Sequence, residues 1–213
     1  MVGTCIIFDL DGTLVDSEIL SNQAFVDLVP EINEPAEQLV NRYRGKKLAD
    51  ILYDLEERIG KKLPDTFETS YRERVAILFA QHLKPMPGVI AMLEVLDRPK
   101  CIASSGPPQK IAQALKVSGL ARYFGSSIYS SYAIGSWKPE PGLFLHAAQS
   151  MGFAPSNCIV VEDSNVGIKA AIAAGMRALH YAPYVAEKVE NRAIAFSQMA
   201  LLPELIKSLE ASS

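Results

Sequence analysis

Three cysteines, three histidines and one tryptophan are all that this 213-residue chain offers of those types. Cys5, Cys101 and Cys158 each open a short apolar run (CIIF, CIAS and CIVV), and none stands in a CxxC or Cys/His spacing. That pattern fits buried thiols in a reducing, cytoplasmic setting and speaks against a disulfide framework or a zinc centre. His82, His146 and His180 fall in or beside packed elements, so none is assigned a catalytic role. No apolar run reaches the roughly 20 residues needed to cross a bilayer. The opening residues read as a strand entering the fold, not as a basic, signal-like segment. Basic charge is not in excess either. A net charge of -3 at pH 7 argues against a nucleic-acid surface, although a metal and a few lysines can reverse the sign within one pocket. Repeats and low-complexity tracts are absent.

What is present is a core-forming composition, 49% hydrophobic against 21% charged, enough for a full α/β core. Thr4–Phe8, Lys100–Ser104, Ser127–Ser130, Cys158–Val161 and Ala178–Tyr181 are short, continuous apolar runs, as expected of strands buried on both faces. Helical spacing appears in Gly88–Asp97, Gln109–Val117, Gly142–Met151 and Val166–Ala174. This alternation predicts a doubly wound parallel sheet with a Rossmann-like core. The gap between the first two strands is too long for one crossover, and its first part reads as four helices. Asp16 or Ser17 caps the first, Pro35 opens the second, Gly60 closes the third, and Phe67, Tyr71, Val75, Leu78 and Phe79 line the fourth. A helical cap (residues 15–84) inserted after the first strand is therefore expected, with a core of residues 1–14 and 85–213. The tail after Tyr184 ends in a helix with Leu201, Leu202, Leu205, Ile206 and Leu209 along one face.

The chemistry gathers at strand ends. Asp9 and Asp11, in Phe8-Asp9-Leu10-Asp11-Gly12-Thr13-Leu14, repel one another and resist burial, a conflict that a cation resolves. Asp9 offers a carboxylate oxygen and Asp11 a backbone carbonyl to a hard ion such as Mg²⁺. An EF-hand is excluded, because Leu14 stands where its glycine is required. Glu162 and Asp163 add two acids at the end of the fourth strand; on their own they read equally well as part of a helix cap. If the first and fourth strands are neighbours at the point where strand order reverses, four acids converge there. Ser104-Ser105-Gly106 supplies hydroxyls and backbone N–H groups suited to phosphate, and Lys138 stands on a loop held between prolines.

DLDGT at Asp9–Thr13, SSG at Ser104–Gly106, KPEP at Lys138–Pro141 and EDS at Glu162–Ser164 resemble the four ordered motifs of the haloacid dehalogenase superfamily. The small helical-capped phosphatases of that superfamily are the most similar, and the resemblance covers essentially the whole chain. It implies that Asp9 is a nucleophile forming an aspartyl-phosphate, and that Asp11 is an acid–base residue that starts protonated. It also implies Mg²⁺ held by Asp9, the Asp11 carbonyl and Asp163, with Glu162 a further ligand or an orienting group. Ser104 and Lys138 would hold the transferring oxygens, with Ser105 and Gly106 beside them. On the cap, Arg44, Gly45 and Lys47 are read as substrate contacts suited to a sugar or sugar-acid phosphate, whereas Arg42 reads as a surface charge. Trp137 either buttresses Lys138 or simply packs.

The partner expected is a small phosphorylated metabolite, met by a monomer or weak dimer without nucleic acid or membrane. Three other readings are weighed. A carbon–halogen hydrolase has no need of Asp11 and Gly12. A β-phosphoglucomutase usually carries a cap histidine where this chain has Ser21. A non-catalytic phosphate-binding module would not need every catalytic position filled.

Overall fold

Strand β1 (Cys5–Phe8) is four apolar residues, all fully buried. It can be buried on both faces because parallel strands flank it: β2 (Lys100–Ser104) on one side and β4 (Cys158–Glu162) on the other, with Phe8 opposite both Ile102 and Val161. The computed structural model describes residues 3–183 and 192–211. Strands β3 (Ile128–Ser130), β5 (Arg177–Tyr181) and β6 (Ile194–Phe196) complete a six-stranded parallel sheet in the order β3-β2-β1-β4-β5-β6.

Side-chain alternation divides the strands between two cores. Ile6, Phe8, Ile102 and Val161 join one cluster with α5 (Val89–Val95), α6 (Pro108–Ser118) and α10 (Leu202–Ala211). Cys5, Ile7, Cys101, Cys158 and Val160 face the other way, towards α8 (Gly142–Met151) and α9 (Asn165–Ala173). All three cysteines are free and buried on that second face, as expected, with Cys5 opposite Cys158. The doubly wound fold is thus observed, and strand order reverses between β1 and β4. A crevice opens beyond their C-terminal ends.

Helices α1 (Glu18–Leu28), α2 (Ala36–Tyr43), α3 (Leu48–Ile59) and α4 (Phe67–His82) fill the long gap. They gather a third cluster of their own around Phe25, Leu39, Leu55 and Phe67. Phe25 stacks on Tyr71 with ring centroids 4.2 Å apart. Pro35 precedes α2, and Gly60 ends α3 at φ +69°, a left-handed conformation that glycine adopts without strain. The two chain passages between these helices and the sheet run side by side: Asp16 N–H donates to the Lys84 carbonyl and Met86 N–H to the Leu14 carbonyl, both at 2.9 Å.

Several details depart from the sequence reading. Ser17 precedes α1 but makes no side-chain cap bond; its hydroxyl is used elsewhere. The short helix α7 (Ser131–Ile134) and edge strand β6 are additional. Leu201, expected in the apolar stripe, is 56% exposed, because it sits in a 3₁₀ turn before α10 begins. Tyr184 and the rest of the segment to residue 191 lie outside the described residues. Among the described residues, no helix is long and apolar enough to cross a membrane.

Because Leu55 is fully buried in the helical cluster, Leu55→Ala should lower stability by about 2–5 kcal/mol in urea unfolding. Leu201→Ala should stay within about 0.5 kcal/mol of wild type.

Candidate active site

Asp9 leaves β1 immediately, and its N–H donates to the Val161 carbonyl at 2.9 Å, which carries it along β4. Glu162 closes β4 and Asp163 follows. Their carboxylates and that of Asp9 offer oxygens that all lie within 4.8 Å of one another, and all three residues are buried. Lys138, from the loop between α7 and α8, enters this group. Its ammonium donates to Asp9 Oδ1 and, at 2.6 Å, to Glu162 Oε2. The Lys138–Pro139 peptide is cis.

The other oxygen of Glu162 accepts from the Ser164 N–H at 3.0 Å and its hydroxyl at 2.6 Å. Ser164 Oγ in turn accepts the Gly167 N–H at 3.2 Å, capping α9. Thr13 donates to Asp163 Oδ1 at 3.1 Å, and His180 Nε2 lies 2.9 Å from the Asp163 carbonyl. Gly167 has no alternative: a Cβ there would overlap the Glu162 carboxylate.

Charge at the site is unbalanced. Burial pushes the Asp9 carboxyl well above its ordinary range and Glu162 adds to the rise, while Lys138 offsets only part of it. Asp163 is likewise pushed up, by burial first and then by Glu162 and Asp9. Burial works against the Lys138 ammonium, yet Asp9 and Glu162 outweigh it and raise its pKa. An all-oxygen donor set with surplus negative charge fits a hard divalent cation. Asp9 and Asp163 have oxygens to give it. Both Glu162 oxygens already accept from protein donors, so Glu162 fits the orienting role better than the ligand role.

Three acids meet here where sequence reading anticipates four. The Asp11 carboxylate turns aside: its Oδ1 accepts from Ser17 Oγ at 2.5 Å and from Lys110 Nζ at 2.9 Å. Burial would raise its pKa, but Lys110 and the Ser17 hydroxyl outweigh that and hold it below the usual carboxylate range. This arrangement favours the ionised form of Asp11, whereas the resemblance has it start protonated. Lys110 escaped the sequence reading although it left a trace. A lysine in the first turn of a helix opposes the helix dipole, and one at that position in α6 calls for a carboxylate partner.

Above the acids lies a cavity of about 700 Å³ whose walls include Asp9, Asp11, Ser105, Gly106, Lys110 and Lys138. Ser104 is fully buried beneath it, with its Oγ accepting the Gly106 N–H at 3.0 Å. From the helical side, Gly45 and Lys47 line the same cavity. Gly45 has φ +73°, and a Cβ there would stand 2.7 Å from Val166 Cγ2, so only glycine allows this loop so close to the acidic turn. Arg44 points elsewhere. Its Nε lies 4.0 Å from Asp163 Oδ2, in the wall of a second cavity of about 440 Å³ that includes His180. Arg42 pairs with Glu34 at 3.5 Å, on the surface as read.

Comparison with known proteins follows the same lines. Residues 4–175 match the haloacid dehalogenase-like hydrolase family. The chain is 35% identical over 208 residues to 6-phosphogluconate phosphatase of Escherichia coli (strain K12), covering 95% of this chain and 94% of the relative. It is 29% identical over 179 residues to fructose-1-phosphate phosphatase YqaB of the same organism, covering 82% of this chain and 94% of that one. Among solved structures, a haloacid dehalogenase-like protein of unknown function from Agrobacterium tumefaciens str. C58 superposes with a TM-score of 0.83. The two are 31% identical, and 98% of this chain and 99% of the other are covered.

Two outcomes are expected. Gly167→Ala should displace Glu162 and cost roughly 10²-fold in kcat, the penalty of an ångström-scale misplacement, with far-UV circular dichroism unchanged. Glu18, which lines both cavities, is pushed from its usual 4.5 to about 7 by burial and by Asp11. The folded state therefore holds this proton more tightly than the unfolded one, and stability is lost as pH rises from 4.5 towards 7. Glu18→Gln should raise the Tm of metal-free protein at about pH 8 and converge on wild type near pH 5, as differential scanning calorimetry can show.

Proposed function

The chain belongs to the haloacid dehalogenase-like hydrolases as a phosphoric monoester hydrolase, and on that premise we propose Mg²⁺-assisted hydrolysis of a small sugar or sugar-acid phosphate through an aspartyl-phosphate on Asp9. The observation that carries this reading is Asp9 held by Lys138, with Glu162 and Asp163 beside it, at the foot of a large cavity. In the first step an Asp9 oxygen attacks phosphorus and the ester oxygen leaves with its bonding pair. Lys138, the Ser104 hydroxyl and the Ser105 N–H seat the phosphoryl oxygens, while the Gly106 N–H holds Ser104 Oγ in place. Glu162 keeps Lys138 aimed. Asp9, Asp163 and the Asp11 carbonyl are the groups to hold Mg²⁺, which when bound offsets the repulsion between phosphate and nucleophile.

Asp11 supplies the proton to the leaving oxygen and later takes one from the attacking water. Lys110 keeps it ionised at rest, and an arriving phosphate dianion raises its pKa by like-charge repulsion, which loads the proton when it is needed. Residues 15–84 act as the cap: Lys47 meets a leaving group only where that group carries an anionic end, while Arg44 offsets part of the Asp163 charge.

A panel of sugar, sugar-acid, nucleotide and glycolate phosphates, scored by phosphate release, tests the reading, with 6-phosphogluconate the first to try. Activity should vanish in EDTA, return with Mg²⁺, and be undetectable in Asp9→Asn. Wild-type protein inert across the panel with Mg²⁺ would hand the reading to a phosphate-binding module. Glucose 6-phosphate appearing ahead of free phosphate from β-glucose 1-phosphate would make it a mutase.

A further inference from the structure

We infer that Tyr132 and Trp137 determine specificity: they form a two-ring wall that seats the carbon chain of a polyhydroxylated leaving group, with Lys47 placed to meet an anionic group at its far end. This rests on the phosphatase reading and adds which residues choose the ester. Trp137, the only tryptophan in the chain, directly precedes Lys138. Tyr132 is the second residue of α7, where its N–H donates to the capping Ser130 Oγ at 3.2 Å. The two rings meet edge to face, with centroids 5.5 Å apart and planes at 76°, and both line the large cavity.

The wall is anchored from the helical side. Arg72 on α4 reaches the Tyr132 hydroxyl at 3.3 Å and lies 5.7 Å from its ring centroid. Glu68 fixes Arg72 in turn, accepting from Nε at 3.0 Å and Nη2 at 2.5 Å. Even so, Tyr132 remains 46% exposed, and it lends the face of a ring to the cavity wall. That face suits the C–H surface of a carbohydrate, gained through dispersion and loss of hydrating water.

Lys47 completes the arrangement. Its ammonium lies 5.7 Å from the Trp137 ring centroid, and no ion pair to a described carboxylate accompanies it. Lys110, Lys138 and Arg72 all have such a pair. A cation resting on an aromatic face keeps its charge for an incoming anion. Since Lys138 marks the phosphate end and Trp137 follows it in the wall, the ligand chemistry runs in order: phosphate, hydroxylated chain, anion.

Three compounds separate these contributions: 6-phosphogluconate, a hexitol 6-phosphate of the same length with a neutral end, and acetyl phosphate, whose leaving group is too short to reach the wall. Lys47→Met should raise KM for 6-phosphogluconate about tenfold, the loss of one charged contact, and leave the hexitol ester within twofold. Tyr132→Ala should lower kcat/KM for both chain-bearing esters about tenfold and spare acetyl phosphate, whereas Tyr132→Phe should keep most of the activity. In Asp9→Asn with Mg²⁺, 6-phosphogluconate should produce a saturable change in Trp137 emission that Lys47→Met weakens. Equal losses on all three compounds in Tyr132→Ala would overturn the inference, as would nucleoside monophosphates outcompeting the sugar acid. Wild-type protein inert even on acetyl phosphate would instead count against the phosphatase reading. The Trp137 titration would then decide the wall by itself, and no saturable change would overturn it.

Discussion

A buried ammonium shared by two carboxylates sets the geometry on which the rest of the site depends. Lys138 ties Asp9, at the end of β1, to Glu162, at the end of β4, and so joins two strands and a loop through side chains alone. Removing one partner from such a group leaves an uncompensated charge in the interior, a cost of about 3–5 kcal/mol. The surroundings are shaped to prevent that. Ser164 fixes the second oxygen of Glu162, the first turn of α9 has Gly167 where a methyl group would strike the carboxylate, and Thr13 and His180 hold Asp163 by its side chain and its carbonyl. Each is an ordinary hydrogen bond or close approach. Together they allow three acids to stay buried side by side and leave a surplus of negative charge for a cation to answer.

Much of this was legible because the relevant signals are local. Continuous apolar runs marked β1, β2 and β4, since strands covered on both faces cannot alternate with polar residues. Acids at the ends of two strands marked the candidate site, because one pair alone could serve a turn or a helix cap but both together crowd charge that a cation must answer. Pro35 and Gly60 set helix limits through backbone chemistry that belongs to the residues themselves. What stayed hidden depends on partners distant in sequence. The carboxylate of Asp11 could not be aimed without Lys110, 99 positions away. Tyr132 became informative only once Arg72, 60 positions earlier, was seen to bind its hydroxyl. Strand β6 is three residues at a sheet edge with two of them exposed, too short and too wet for an apolar pattern to register.

The helices between β1 and α5 and the sheet below them divide the work by charge. The sheet side carries the acids and the lysine that offsets them. The helical side brings Lys47 to the cavity wall, with a backbone approach at Gly45 close enough to touch Val166. The cavity is thus walled from both sides, by Gly45 and Lys47 of the helical stretch and by Tyr132 and Trp137 of the stretch that also carries Lys138.

The paired passages at Leu14–Asp16 and Lys84–Met86 bear on how the chain reaches this state. Strands β1 and β2 are neighbours in the sheet yet separated by the whole run from Phe8 to Lys100, which ordinarily makes their meeting slow. Closing a loop costs entropy only logarithmically, about 0.6 kcal/mol for each doubling of its length. The backbone bonds between Asp16 and Lys84 and between Leu14 and Met86 cinch that run at its base. Once the four helices have collapsed on Phe25 and Leu55, what is left to close is the stretch from Phe8 to Leu14 and the stretch from Met86 to Lys100, which holds α5. With its base cinched, a long insertion in sequence thus costs the pairing of β1 and β2 less entropy than the length of the intervening chain alone would suggest.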